Sequence, residues 1–238
     1  MPRIVAKPQA NRLTTIRPPG AAGTMSLAEQ IASQLAEMIV MGEYQPGDRV
    51  HEMAVSSQFE VSRGPVREAL RLLENEGLVT ILPRRGAVVT DLSTDEVRDI
   101  FEIRSVLFGL AARRVAEMND PEMLVQLEER VNHLAMLSDA KDDGSDDYVA
   151  AVQELSLFVS SQSVSHHLTD MIYSLFRQTL RYSRLSLLSP KRRLESAANW
   201  RQLYLAVSDG DGVKAESVGK RLIDESKNEA MRRIEKPT

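Results

Sequence analysis

Residues Phe59–Leu82, FEVSRGPVREALRLLENEGLVTIL, run directly into Pro83-Arg84-Arg85-Gly86-Ala87-Val88-Val89. Ser62 is predicted to cap a helix, with Val61 and Val66 at the two positions of a hydrophobic staple. Pro65 falls in the first turn, where its missing N–H costs nothing. Val66, Leu70 and Leu73 recur at i, i+4 and i+7 and make one buried stripe. Arg63, Arg67 and Arg71, also four apart, form a row on a different face, and Gly77 ends the helix. The strand–turn–strand pattern that follows carries Gly86 near its tip. A short helix with an apolar back and arginines near its N-terminus suits a major groove, and its free backbone N–H groups suit a phosphate. The alternative is an ordinary amphipathic surface helix with solvated arginines. The flanking turn, the preceding helix and the hairpin favour a winged helix-turn-helix.

Upstream, Ser26 and Glu29 form a capping box. The helix they open presents Leu27, Ile31, Leu35, Met38 and Ile39 and stops at Gly42. After the turn Tyr44-Gln45-Pro46-Gly47-Asp48, a second helix is predicted over His51–Gln58, burying Met53 or Ala54 and Val55. The DNA-binding unit therefore occupies 26–90, with three helices and a β-hairpin wing. Residues 1–25 are Pro-rich and basic without hydrophobic period and read as a disordered arm. Such an arm lies along a phosphate backbone or in a minor groove, or is an unstructured leader.

From 91 to 238 the chain reads all-helical. Ser93-Thr94-Asp95-Glu96 opens a helix whose inner side is expected to be Val97, Ile100, Phe101, Ile103, Leu107, Leu110 and Ala111. The next uses Leu124, Leu127, Val131, Leu134 and Leu137. Lys141–Asp147 is an acidic loop. Further helices are expected over 148–163, 166–188, 191–208 and 211–235, and their short connections predict an antiparallel bundle. The fold class is mainly α.

The 238 residues carry a net charge of -4 and no cysteine, which excludes disulfides, thiolate metal sites and a cysteine nucleophile. The charge is uneven, being positive over 1–25 and negative over 26–90 and 91–238. In the DNA-binding unit the cations gather at the recognition helix and wing, so specific binding with a modest non-specific component is expected, with a salt slope set by a few contacts plus the arm. No apolar run approaches the ~18 residues of a membrane span, and a cytoplasmic location is expected. There is no glycine-rich phosphate loop, Ser-His-Asp spacing or His-Glu cluster, so the chain is not read as an enzyme. Glu68, Glu74 and Glu76 read as solvated charge. The four histidines form no chelating pair, since adjacent His166 and His167 point about 100° apart on a helix.

The pattern Tyr44-x-Pro46-Gly47-x-x-Val50-x-Glu52, then Val61-Ser62-Arg63-x-Pro65-Val66-Arg67-Glu68-Ala69-Leu70-x-x-Leu73-x-x-Glu76-Gly77-Leu78-Val79, strongly resembles the GntR family of bacterial transcription regulators. Arg84-Arg85-Gly86-x-x-Val89 looks like that family's wing. The helical remainder, with Arg104, Gly210-Asp211 and Ala215, is similar to the ligand-sensing FCD domain of the FadR-like branch. The resemblance spans about 26–235. It implies a homodimeric repressor on a near-palindromic double-stranded operator, touching DNA through Ser62, Arg63, Pro65, Arg67, Arg84, Arg85 and Gly86. Arg63 or Arg67 would read guanine. Where many relatives have an arginine after the second helix's glutamate, this chain has Met53. The branch's metal-ligand positions correspond to Val152, Ser156, Trp200 and Leu222, a poor donor set, so no metal cofactor is expected. Phe108 also stands where a glutamate is frequent.

The resemblance further implies a small effector, expected to be a carboxylate, held by protein groups alone. Arg104, Tyr148, Arg177, Arg181, Asn199 and Trp200 are the candidates, with Tyr204 nearby. For each arginine the alternative is a surface or interhelix ion pair. A regulator that has lost effector sensing is the second reading.

Overall fold

The capping box at Ser26 forms as its sequence predicts. In the computed structural model, which describes residues 24–138 and 145–235, Ser26 Oγ accepts from Glu29 N and the Glu29 carboxylate accepts from Ser26 N. Helix α1 (Leu27–Met41) starts there and ends at Gly42, whose φ of 84° is left-handed. Most of the predicted arm, and Lys141–Gly144 of the acidic loop, lie outside the described residues.

The chain divides into two compact units, one ending at Ser93 and one starting at Thr94. The first contains α1, strand β1 (Arg49–Val50), α2 (Glu52–Gln58), α3 (Arg63–Asn75), β2 (Val79–Leu82) and β3 (Gly86–Val89). Helix α3 closes with two reversing bonds, Leu78 N to Leu73 O and Gly77 N to Glu74 O. This is the Schellman pattern that a left-handed Gly77 permits. The wing pairs Leu82 with Gly86 and Val79 with Val89 in antiparallel register. The sequence pattern missed β1, which pairs Arg49 with Val88 and Val50 with Ala87 and makes the strand order β1-β3-β2. A two-residue strand has no periodicity to detect.

Ile31, Leu35, Val55, Val66, Leu70 and Leu73 fuse the three helices into one core, joined by Val50, Ala87 and Val89 from the sheet. Two expectations fail. Leu27 is exposed at the start of α1, where the inner position is Ala28. Met53 and Ala54 are exposed on α2, whose only buried residue is Val55. Glu74 is not merely solvated, because its Oε1 accepts from Ile81 N at 2.9 Å and ties the wing to α3.

The second unit comprises α4 (Thr94–Met118), α5 (Pro121–Ser138), α6 (Ser145–Ser161), α7 (His166–Gln178), α8 (Leu180–Ser186), α9 (Pro190–Ser208) and α10 (Gly212–Glu235). The helix expected over 166–188 is two, broken at Thr179. Helices α4 and α10 make the most extensive pairing, across a seam of small residues. A Cβ on Gly219 would lie 3.1 Å from Ala112 Cβ, and one on Gly109 would lie 3.1 Å from Glu216 O. Of the inner side expected for α4, Val97, Phe101 and Ala111 are buried and Ile100 and Leu107 half-buried, but two positions fail. Ile103 and Leu110 are exposed, whereas Arg104, Ser105, Phe108 and Ala112 are buried.

Candidate DNA-binding surface and buried cationic site

The physical requirement for reading DNA is a convex element that keeps its charged groups in solvent. Helix α3 meets it by burying Val66, Ala69, Leu70 and Leu73 while Ser62, Arg63, Gly64, Arg67 and Arg71 stay exposed. Ser62 occupies the N-cap in extended conformation, but its side chain makes no capping bond. Pro65 is half-buried in the first turn.

The wing adds exposed Arg84, Arg85 and Gly86. Its turn is closed by Arg85 N donating to Leu82 O at 3.1 Å. Pro83 holds the second position, and Arg84 holds the third with φ 62°, where a type II turn favours glycine. The chain thus places an arginine side chain at the wing tip at the expense of local strain. Arg67 is not free: its Nε donates to Glu52 Oε2 at 3.0 Å. No local pattern announces this pair, because it joins residues fifteen apart on two helices.

In the helical unit the six candidate effector residues serve several networks. Arg104 is 4% exposed. Its Nη1 donates to Thr179 Oγ1 and, at 3.3 Å, to Ser183 Oγ. Its guanidinium carbon lies 5.0 Å from the ring centroids of both Phe101 and Phe176. No carboxylate among the described residues pairs with it, and burial pulls its pKa down to about 9. Thr179, at the α7–α8 break, and Ser183, within α8, are the partners that the sequence pattern missed.

Arg177 is buried over the Tyr173 ring at 5.7 Å, and Arg181 is half-buried on α8. Tyr148 is fully buried and donates to Arg193 O at 2.9 Å. Desolvation pushes its phenol up to about 12. Asn199 Nδ2 donates to Glu225 Oε2 at 2.6 Å, beside an Arg192–Glu225 ion pair at 3.1 Å. Asn199 thereby lines a polar surface groove of about 600 Å³ between α9 and α10. Asn199 and Tyr148 are committed to interhelix contacts.

Trp200 is buried edge-to-face against Phe108, with ring centroids 5.8 Å apart and planes at 77°. Two of the residues that depart from the resembled pattern, Phe108 and Trp200, therefore pack on each other. The remaining positions of that set are half-buried Val152, buried Leu222 and Ser156, whose hydroxyl donates to Val152 O. An indole, two aliphatic groups and a committed hydroxyl do not fit a divalent cation. Among the described residues no three His, Asp or Glu converge on a metal-sized space, and no helix is long and apolar enough to cross a membrane.

The family described as "Bacterial regulatory proteins, gntR family" matches residues 27–89, and the FCD domain matches residues 99–225. The chain is 40% identical over 102 residues to the uncharacterized HTH-type transcriptional regulator YdhC of Bacillus subtilis, a stretch covering 43% of this chain and 46% of that one. It is 38% identical over 109 residues to the HTH-type transcriptional repressor RspR of Escherichia coli, covering 46% and 48%. It is 35% identical over 101 residues to the gluconate operon transcriptional repressor of Bacillus subtilis, covering 42% and 41%. Each match thus spans less than half of the relative's length. Among solved structures, E. coli McbR/YncC superposes with a TM-score of 0.75 at 21% identity, covering 89% of this chain and 100% of that one. A GntR regulator from Rhodococcus sp. RHA1 gives 0.69 at 17%, covering 87% and 99%. At these identities the likeness to solved structures is one of fold.

Proposed function

The chain belongs to the GntR family of bacterial regulatory proteins, in the group that carries an FCD domain, and from that premise we propose that it is a homodimeric repressor whose operator affinity is set by a small carboxylate. The observation that carries the DNA reading is the exposed Arg63–Arg67–Arg71 row on a helix whose other face is sealed in the core. Phosphate contacts would come from the α3 N-terminus, Ser62 and the wing arginines. A bidentate contact from Arg63 or Arg67 would supply discrimination. A repressor function is supported by the names of two relatives.

Dimerisation is supported by an apolar stripe on α4, where Ile103, Val106 and Leu110 are 49%, 59% and 36% exposed. These i, i+3, i+7 positions make a contiguous face that water disfavours. The carboxylate reading is supported by Arg104, a buried cation with no counter-charge among the described residues. A ligand carboxylate would provide one through charge-assisted hydrogen bonds, and no metal is invoked. Response requires that the ligand bind one dimer geometry better than the other.

The Trp200–Phe108 pair favours the second reading, a regulator whose sensing is lost, because those rings fill space inside the bundle. Selection of bound duplexes from a random pool tests the DNA assignment. Two dyad-related half-sites are expected, and recovery of no motif would remove it. Thermal-shift screening with small carboxylates separates the two readings, since a live sensor is stabilised by several degrees.

A further inference from the structure

Among the described residues the Arg67–Glu52 pair is the ion pair made by the exposed arginine row, and it is oddly placed for a stabilising feature. Arg67 and Glu52 side chains are 63% and 34% exposed, and ion pairs in that setting contribute little to folding. Helix α2 nonetheless delivers a carboxylate to the middle of a surface that must approach a polyanion. The atoms used are specific. Glu52 takes Nε, which leaves the Nη1/Nη2 edge of the guanidinium for a second partner. That edge matches the O6/N7 pair of guanine.

We propose that Glu52 is a positioning residue that turns Arg67 from a phosphate contact into a guanine reader. This rests on the DNA-binding reading above. Two effects combine. Held at Nε, the side chain loses rotameric freedom before DNA arrives, so its bidentate edge is presented without further ordering. The carboxylate also repels phosphate oxygens, which penalises every pose in which Arg67 simply neutralises the backbone. Specificity of this kind comes from a repulsive element as much as an attractive one. The prediction has an unusual sign: removing Glu52 weakens discrimination while strengthening indiscriminate binding. General damage to the fold would weaken both.

The experiment uses the full-length protein and a duplex enriched from a random pool by the wild type. Affinities are measured for that duplex, for copies with each guanine changed in turn, and for a scrambled duplex at fixed salt. For Glu52→Gln, discrimination at one guanine per half-site falls about ten-fold, the size of one bidentate contact, and the scrambled duplex binds as tightly or more tightly. Arg67→Lys, which keeps the charge but lacks the two-pronged edge, loses the same guanine preference and retains scrambled-duplex binding. Unchanged guanine preference in Glu52→Gln overturns the proposal and leaves the DNA reading standing. Failure of the wild type to enrich any duplex overturns both.

Discussion

Replacing Arg104 with methionine removes a buried cation without changing the length of the side chain much. Burial lowers this guanidinium from its ordinary 12.5 to about 9. At about 1.4 kcal/mol per decade, the hydration forgone is on the order of 5 kcal/mol. Returning against it are hydrogen bonds from a charged donor to two hydroxyls, about 1.5–3 kcal/mol each at good geometry. One of them is long at 3.3 Å. Two ring faces add about 0.5–2 kcal/mol each. The terms nearly cancel, so the charge contributes little to folding. The substitution also orphans no donor, because the Thr179 hydroxyl already donates to Leu175 O at 2.9 Å. With the 3.3 Å bond at the weak end, Arg104→Met is expected to lie within about 2 kcal/mol of wild type in either direction, each kcal/mol moving Tm by about 2–4 °C. Scanning fluorimetry of the full chain, with and without millimolar carboxylates, reads both halves of the argument. The variant should melt within a few degrees of wild type and should lose any carboxylate-induced shift. A fall of several degrees, with the carboxylate response intact, would show that Arg104 is a structural strut and refute the reasoning.

Gly109→Val should cost about 1–3 kcal/mol in denaturant unfolding, because its Cβ would press on Glu216 O and the Lys220 stem; no loss would mean the α4–α10 seam is loose. Arg84→Gly should relieve about 1 kcal/mol of left-handed strain while weakening DNA binding and flattening its salt dependence. Retained affinity would exclude Arg84 from the interface. Glu229 is held down at about 2 by hydrogen bonds from Arg232, then Arg233. Its folded value is depressed, so its contribution is present above about 4.5 and lost as pH falls towards 2. Glu229→Gln should flatten the Tm profile across that window, and an unchanged profile would remove these pairs from acid stability.

What the sequence made legible was local. The Ser26 capping box, the Gly42 and Gly77 stops and the α3 stripe rest on residues within one turn of each other. The wing hairpin was legible for the same reason. What it hid depended on tertiary partners. On α4 the sequence placed Val97, Phe101 and Ala111 inside correctly but also Ile103 and Leu110, because Gly109 and Ala112 carry no hydrophobic signal, yet a close helix crossing needs small residues. The break at Thr179 has neither glycine nor proline to announce it. Asn199 and Tyr148 are effector candidates implied by the resemblance, and their bonds to neighbouring helices join residues too far apart in sequence to be read from it. The Trp200–Phe108 contact explains two separate departures at once, and only coordinates join them.

If the exposed arginines of α3 touch operator bases, Arg67→Ala should lose specific binding in a gel shift on the selected duplex, while the solution mass, measured in parallel, stays that of the dimer. Wild-type affinity and selectivity in that variant would contradict that contact.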